Sequence, residues 1–173
     1  MTGGRPNGDQ AGVPNPGTGQ MDGAGSIGTP AALLGSVHEG THTMPVRVYY
    51  EDTDFSGVVY HANYLRFLER GRTELLRATG VDQSMLHAGE QGLIFAVRKM
   101  TIDYLKPARM DDMLAVETRT IEIRGASLFL KQRILRGPDV IVEAEVQVAA
   151  IAGGRPVRIP EKLRAILWGE PRS

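Results

Sequence analysis

The sequence contains no cysteine, which excludes a disulfide framework, a thiolate zinc site and a cysteine nucleophile. It has no excess charge of either sign: 20 basic and 20 acidic residues cancel, so neither nucleic acid nor an anionic membrane is indicated as the main partner. No apolar run approaches the roughly 20 residues of a membrane span. The N-terminus lacks a basic start followed by an apolar core, and Ala31-Ala32-Leu33-Leu34 is too short to serve as one. A cytoplasmic protein with no membrane span is expected. Aromatic residues are missing altogether from positions 1–43, which instead hold 11 of the 21 glycines and four of the 10 prolines. Such a composition buries too little apolar surface to offset the entropy of ordering it. A disordered extension over 1–43 and one domain over 44–173 are expected; 173 residues suffice for one packed core and are too few for two.

Two catalogue motifs fall in the extension. Gly23-Ala24-Gly25-Ser26-Ile27-Gly28 matches a dinucleotide-binding loop, but the strand that should precede it and the helix that should follow are missing from the pattern. His38-Glu39-Gly40-Thr41-His42 matches the H-E-x-x-H zinc signature, which works only on a helix. Gly40 within it and Pro45 just after it oppose a helix, so it reads as a chance match. No metal and no cofactor are expected.

Within the domain, Pro45 to Asp52 alternates as a strand, and Thr53-Asp54-Phe55-Ser56-Gly57 reads as a turn. From His61 to Thr79, Tyr64, Leu65, Phe67, Leu68, Leu75 and Leu76 recur at helical spacing, charged residues fill the other side, and Gly80 stops the run. A short helical or irregular piece is expected over Asp82 to Ala88. Four long strands then follow, over Gly92–Leu105, Met113–Ile123, Ala126–Leu135 and Val140–Ile151, and a short last strand and a tail helix end the chain. One helix followed by consecutive strands argues α+β, with a curved antiparallel sheet wrapped around one long central helix.

The segment Tyr49-Tyr50-Glu51-Asp52-Thr53-Asp54-Phe55-Ser56-Gly57-Val58-Val59-Tyr60-His61-Ala62-Asn63-Tyr64 concentrates acids, tyrosines and a histidine just ahead of the long helix. A loop there delivers a carboxylate toward free backbone N–H groups and the positive end of a helix dipole, a workable hydrolytic site. This segment resembles the hot-dog thioesterases, most closely the Tol–Pal-associated acyl-CoA thioesterases of the YbgC type, which are 4-hydroxybenzoyl-CoA thioesterase-like. Weaker similarity runs through Val97-Arg98-Lys99-Met100, Asp103 to Arg109, Gly125-Ala126-Ser127-Leu128 and Arg158-Ile159-Pro160. The resemblance implies a hot-dog fold, a homodimer or homotetramer with sites at the subunit interface, and hydrolysis of an acyl-CoA thioester. It places the catalytic aspartate on Asp54, as general base or nucleophile, and the carbonyl-polarising amide at Tyr60 and His61. His61 is the candidate for assisting proton transfer. For the phosphates of coenzyme A it points to Arg124 and Ser127, with Lys106 and Arg98 as further cations.

Other classes fit less well. A hydratase would need a separate acid–histidine pair, and Ser56 and Ser127 lack the G-x-S-x-G elbow of a serine hydrolase. The serious alternative is a binding scaffold for acyl carrier protein or phospholipid-synthesis enzymes, with Arg66, Arg70, Arg72 and Arg77 of the helix meeting an acidic carrier. Glu51 and Asp52 are expected to serve structure, through turn bonding or strand-edge charge.

Overall fold

The computed structural model describes residues 1–3, 35–80 and 92–168. The Gly23–Gly28 motif and the piece expected over Asp82–Ala88 lie outside the described residues. Two short strands come first, β1 (Ser36–His38) and β2 (Thr41–Arg47). A helical turn at Tyr50–Asp52 precedes the long helix α1 (His61–Ala78). The meander follows as β3 (Ile94–Tyr104), β4 (Met113–Arg124), β5 (Ser127–Arg136), β6 (Asp139–Ala152) and β7 (Arg155–Pro156), closed by α2 (Glu161–Trp168). All pairings are antiparallel, in the order β1-β2-β4-β5-β6-β3, with β7 against the end of β6.

The sheet begins earlier than the expected boundary at residue 44. Glu39 (φ 48°) and Gly40 (φ 72°) both adopt positive φ and close a two-residue hairpin between β1 and β2, the conformation that matches the twist of the flanking strands. His42 is thereby paired opposite Thr118 and fully buried. The H-E-x-x-H run is this hairpin, with its two histidines on different strands. Among the described residues no cluster of metal-ligating side chains occurs.

β2 ends sooner than the expected Asp52. The ladder to β4 stops at Arg47 opposite Met113. Five residues on, the Asp52 Oδ2 accepts the Tyr49 N–H at 2.8 Å and the Asp52 N–H donates to the Tyr49 carbonyl at 3.1 Å. A local side-chain acceptor thus competes with the ladder and curls the chain into a turn.

α1 lies across β2, β4 and β5. Its buried face is Asn63, Tyr64, Phe67, Leu68, Gly71, Leu75 and Leu76, whereas Leu65, expected on that face, is exposed. Gly71 is where helix and sheet come closest: a Cβ there would stand 2.7 Å from Val116 Cγ1 and 2.9 Å from Thr118 Oγ1. Beneath it Gln132, fully buried, donates to the Leu68 carbonyl and the Thr118 hydroxyl at 2.9 Å each and accepts from Arg72 at 2.8 Å. The sheet supplies the rest of the core through Leu114, Val116, Leu130, Ile134, Val142, Val146 and Val148. α2 docks on β4, where the Thr120 hydroxyl donates to the Leu167 carbonyl at 2.7 Å.

Candidate active site

The loop between the Tyr50–Asp52 turn and α1 is built around Asp54. Its N–H donates to the Val58 carbonyl at 2.9 Å, and the Gly57 N–H returns to its carbonyl at 3.0 Å. Gly57 takes φ +74°, where a side chain would be strained. Thr53 and Val59 form an isolated bridge, Val58 another with Arg109, and the Val59 N–H donates to the Ala108 carbonyl at 2.9 Å. Tyr64 reaches from α1 to the same strap, its hydroxyl accepting the Ala108 N–H at 2.9 Å. The loop is therefore pinned at both ends, and Asp54 is held at its tip in solvent.

The Asp54 carboxylate is oriented by Ser56. Its Oδ1 accepts the Ser56 N–H at 2.8 Å and also the Ser56 hydroxyl. These bonds favour the charged form. The Ser56 hydroxyl is the largest influence; desolvation opposes it, the Ser56 and Val58 backbone bonds add to it, and the carboxyl is held below its ordinary 3.8. Asp54 is thus an anion at neutral pH with one oxygen committed to Ser56. Sequence reasoning read Ser56 only as turn and failed nucleophile; an Asp with Ser two residues on is itself an Asx-turn signal.

His61 is the first residue of α1 and is exposed. Its ring lies 4.3 Å from that of Tyr60 and 6.4 Å, edge-on, from that of Tyr104, whose hydroxyl donates to the His61 carbonyl at 3.2 Å. Tyr104 fell inside the recognised pattern but was given no role; it ties the end of β3 to the helix start, and its phenol is raised by burial. The expectation that Tyr60 supplies a carbonyl-polarising amide is corrected. Its N–H already donates to the Asp52 carbonyl at 2.9 Å, and the Asn63 N–H donates to the Tyr60 carbonyl at 2.8 Å. The amides of His61 and Ala62 remain as the helix-start donors, in the first turn where no intrahelical acceptor exists. Asp52 is buried and structural, as expected of it: beyond Tyr49 it meets Asn63 Nδ2 at 3.5 Å.

The four expected phosphate contacts divide between two ends of the molecule. Lys106 lies near the Asp54 loop, just before Pro107-Ala108, and is paired with Asp139 at 2.7 Å. Arg124 and Ser127 face each other across the β4–β5 turn, Arg124 paired with Glu122 and Ser127 Oγ accepting from Gln147 at 3.1 Å. Ser127 shares its row with Ala149 and Ala96, and Arg98, two residues further on at the β3 bulge, lies near the middle of that strand. From Ala96 to Tyr104 along β3 is about 27 Å at the usual strand rise. Within one chain the structure does not bring Arg124, Ser127 and Arg98 to Asp54.

Sequence and structure comparisons agree on what the chain resembles. The thioesterase-like superfamily matches residues 48–167. The acyl-CoA thioesterase YbgC of Haemophilus influenzae is 46% identical over 125 residues, covering 71% of this chain and 91% of that protein. A probable thioesterase from Bartonella henselae superposes with a TM-score of 0.67 at 46% identity, over 69% of this chain and 99% of that one. A thioesterase from Thermus thermophilus, solved with coenzyme A and zinc, gives 0.62 at 26% identity over 72% and 95% of the two chains.

Proposed function

The chain belongs to the thioesterase-like superfamily and is an acyl-CoA thioester hydrolase, and we propose that Asp54 carries its reaction at the start of α1. The observation that carries this reading is a solvent-facing carboxylate, ionised and oriented by Ser56, on the loop that delivers the chain into the helix. The thioester oxygen accepts from the His61 amide, where the helix dipole favours the negative charge that develops in the tetrahedral intermediate. Asp54 either draws a proton from the attacking water or bonds to the acyl carbon itself, a mixed anhydride that water then opens. On both routes a C–O bond forms, the C–S bond breaks, and the coenzyme A thiolate leaves to take up a proton. His61 is placed to position water or pass that proton.

The working unit is a pair of chains. β3 ends the sheet with no partner on its outer side among the described residues. An open edge of this length is a template for another strand. Phe55, Tyr60, Tyr104 and Leu105 leave an exposed apolar rim near the site, as a surface does that a partner covers. Two copies joined about a two-fold axis through the middle of β3 run antiparallel. The Ile94 end of one chain then meets the Tyr104 end of the other, so Arg98, Arg124 and Ser127 approach Asp54 of the partner subunit and are the cations and hydroxyl offered to the phosphates. Lys106 joins them from the chain that supplies Asp54. No helix among the described residues is long and apolar enough to cross a membrane, and the proposed setting is the cytoplasm. Free-thiol release from short aliphatic, long aliphatic and aromatic acyl-CoA esters, beside sedimentation of the purified protein, tests both parts. Turnover by a dimer or tetramer is expected, and an inert protein, or an active monomer, contradicts one part or the other. The scaffold reading for acyl carrier protein gains no particular support from the helix arginines: Arg72 is spent on Gln132 and Arg77 on Glu74.

A further inference from the structure

Asp54 and the His61 amide lie on different pieces of chain, and a reaction that uses both needs them at one fixed separation. The Asp54 loop hangs on the strap formed by residues 107–109. Val59 donates to the Ala108 carbonyl at 2.9 Å, Val58 bridges Arg109, and the Val58 carbonyl in turn accepts the Asp54 N–H at 2.9 Å. The strap itself is fastened to the sheet. Arg136 of β5 donates to the Pro107 carbonyl at 3.3 Å and to Asp112 at 2.8 Å, and Asp112 accepts the Arg109 N–H at 2.8 Å. Its tie to the helix is Tyr64. The hydroxyl of this residue, on α1 three positions after His61, accepts the Ala108 N–H at 2.9 Å.

Ala108 is fully buried and Tyr64 nearly so, which makes the bond between them stronger than one facing water. Burial also raises the phenol, so the hydroxyl stays neutral at neutral pH. The Tyr64 ring is fixed on two sides. It meets Phe67 edge-on at 6.2 Å and Tyr104 at 5.8 Å, and Tyr104 lies 6.4 Å from the His61 ring. Core packing accounts for the ring and leaves the hydroxyl over: an apolar ring would fill the same place and leave the buried Ala108 N–H without its acceptor. We propose that Tyr64 is a positioning residue for the reaction, its hydroxyl setting, through Ala108 and Val59, where the Asp54 carboxylate stands relative to the His61 amide. The helix that presents the amide thereby also holds the strap that carries the carboxylate. The inference rests on the Asp54 reading.

Tyr64→Phe keeps the ring and removes the hydroxyl, and is compared with the full-length parent on an acyl-CoA ester that the parent hydrolyses. A fall in kcat of about tenfold is expected, with KM held within about twofold, since displacing a reacting group costs rate rather than binding. Ile134→Val, at a fully buried position of β5, measures lost stability alone: Tm falls and kcat stays. A kcat that falls with Tm there as well would mean that rate follows stability, and would overturn the inference. The Asp54→Asn background then separates positioning from general loosening. In it, Tyr64→Phe is expected to cost nothing further, because the group it positions no longer reacts. A loss that recurs in full shows a role independent of Asp54 and overturns the inference, as does a folded Tyr64→Phe with the parental kcat. Should Tyr64→Phe not fold, Ala108→Gly, which loosens the strap between its two bonds, decides in its place, and a parental kcat there overturns the inference. Failure of the Asp54 reading is separately visible, because Asp54→Asn alone would then hydrolyse the ester at the parental rate.

Discussion

Asp54 is exposed, yet it is more acidic than a free aspartate, because the Ser56 hydroxyl and amide both bond its Oδ1. The sign for activity follows directly. A carboxylate that must be ionised loses function as pH falls through its folded pKa, and here that value lies below the ordinary 3.8. Ser56→Ala removes the largest stabilising contact, so the acid limb of the kcat/KM profile is expected to move up in pH toward the ordinary carboxylate value. A limb that does not move would show that Ser56 has no hold on the catalytic ionisation. The carboxylate was legible in the sequence because an acid just before a long amphipathic helix sits within a long, specific motif. The fate of the Tyr60 amide was not. Whether an N–H at a helix start is free depends on which carbonyl the preceding turn brings to it, here that of Asp52, and no residue-type pattern encodes that.

α1 and the four long strands follow from periodicity alone, since apolar positions three and four apart, or two apart, must face a common core. Sequence reading placed the helix at His61–Thr79, and it ends at Ala78. Gly71 was not singled out, because its role depends on the sheet behind it. Gly71→Val is expected to lower unfolding free energy by about 2–3 kcal/mol, through overpacking against Val116 and Thr118, read by chemical denaturation. An unchanged midpoint would mean that helix and sheet separate at no cost. The two element-level errors share a cause. β2 was drawn too long because the Asp52 side chain captures Tyr49, and β1 was missed because a glycine-rich context hid a two-residue hairpin. Both are decided by a single local hydrogen bond or a positive φ, beneath the resolution of hydrophobic patterning.

At the scale of the molecule, the corrected start of the sheet changes what a truncation does. Removing residues 1–43 deletes β1, the buried His42 and the Thr41–Thr43 pairs with β4, and a clear fall in Tm is expected. Removing residues 1–34 is expected to leave Tm where it was; equal values for the two truncations would contradict the hairpin's place in the fold. The sheet order itself was open from the sequence, since alternation tells which face of a strand is buried and not which strand lies beside it. That order leaves β3 at the edge of the described sheet, which is the basis of the proposed pairing of chains. The most direct test of the whole account is the steady-state rate of Asp54→Asn on an acyl-CoA ester that the parent hydrolyses, with folding checked by circular dichroism. A folded protein slower by about 10²–10⁴ is expected, the usual contribution of a positioned general base. A folded Asp54→Asn that turns over at the parental rate would remove Asp54 from the reaction.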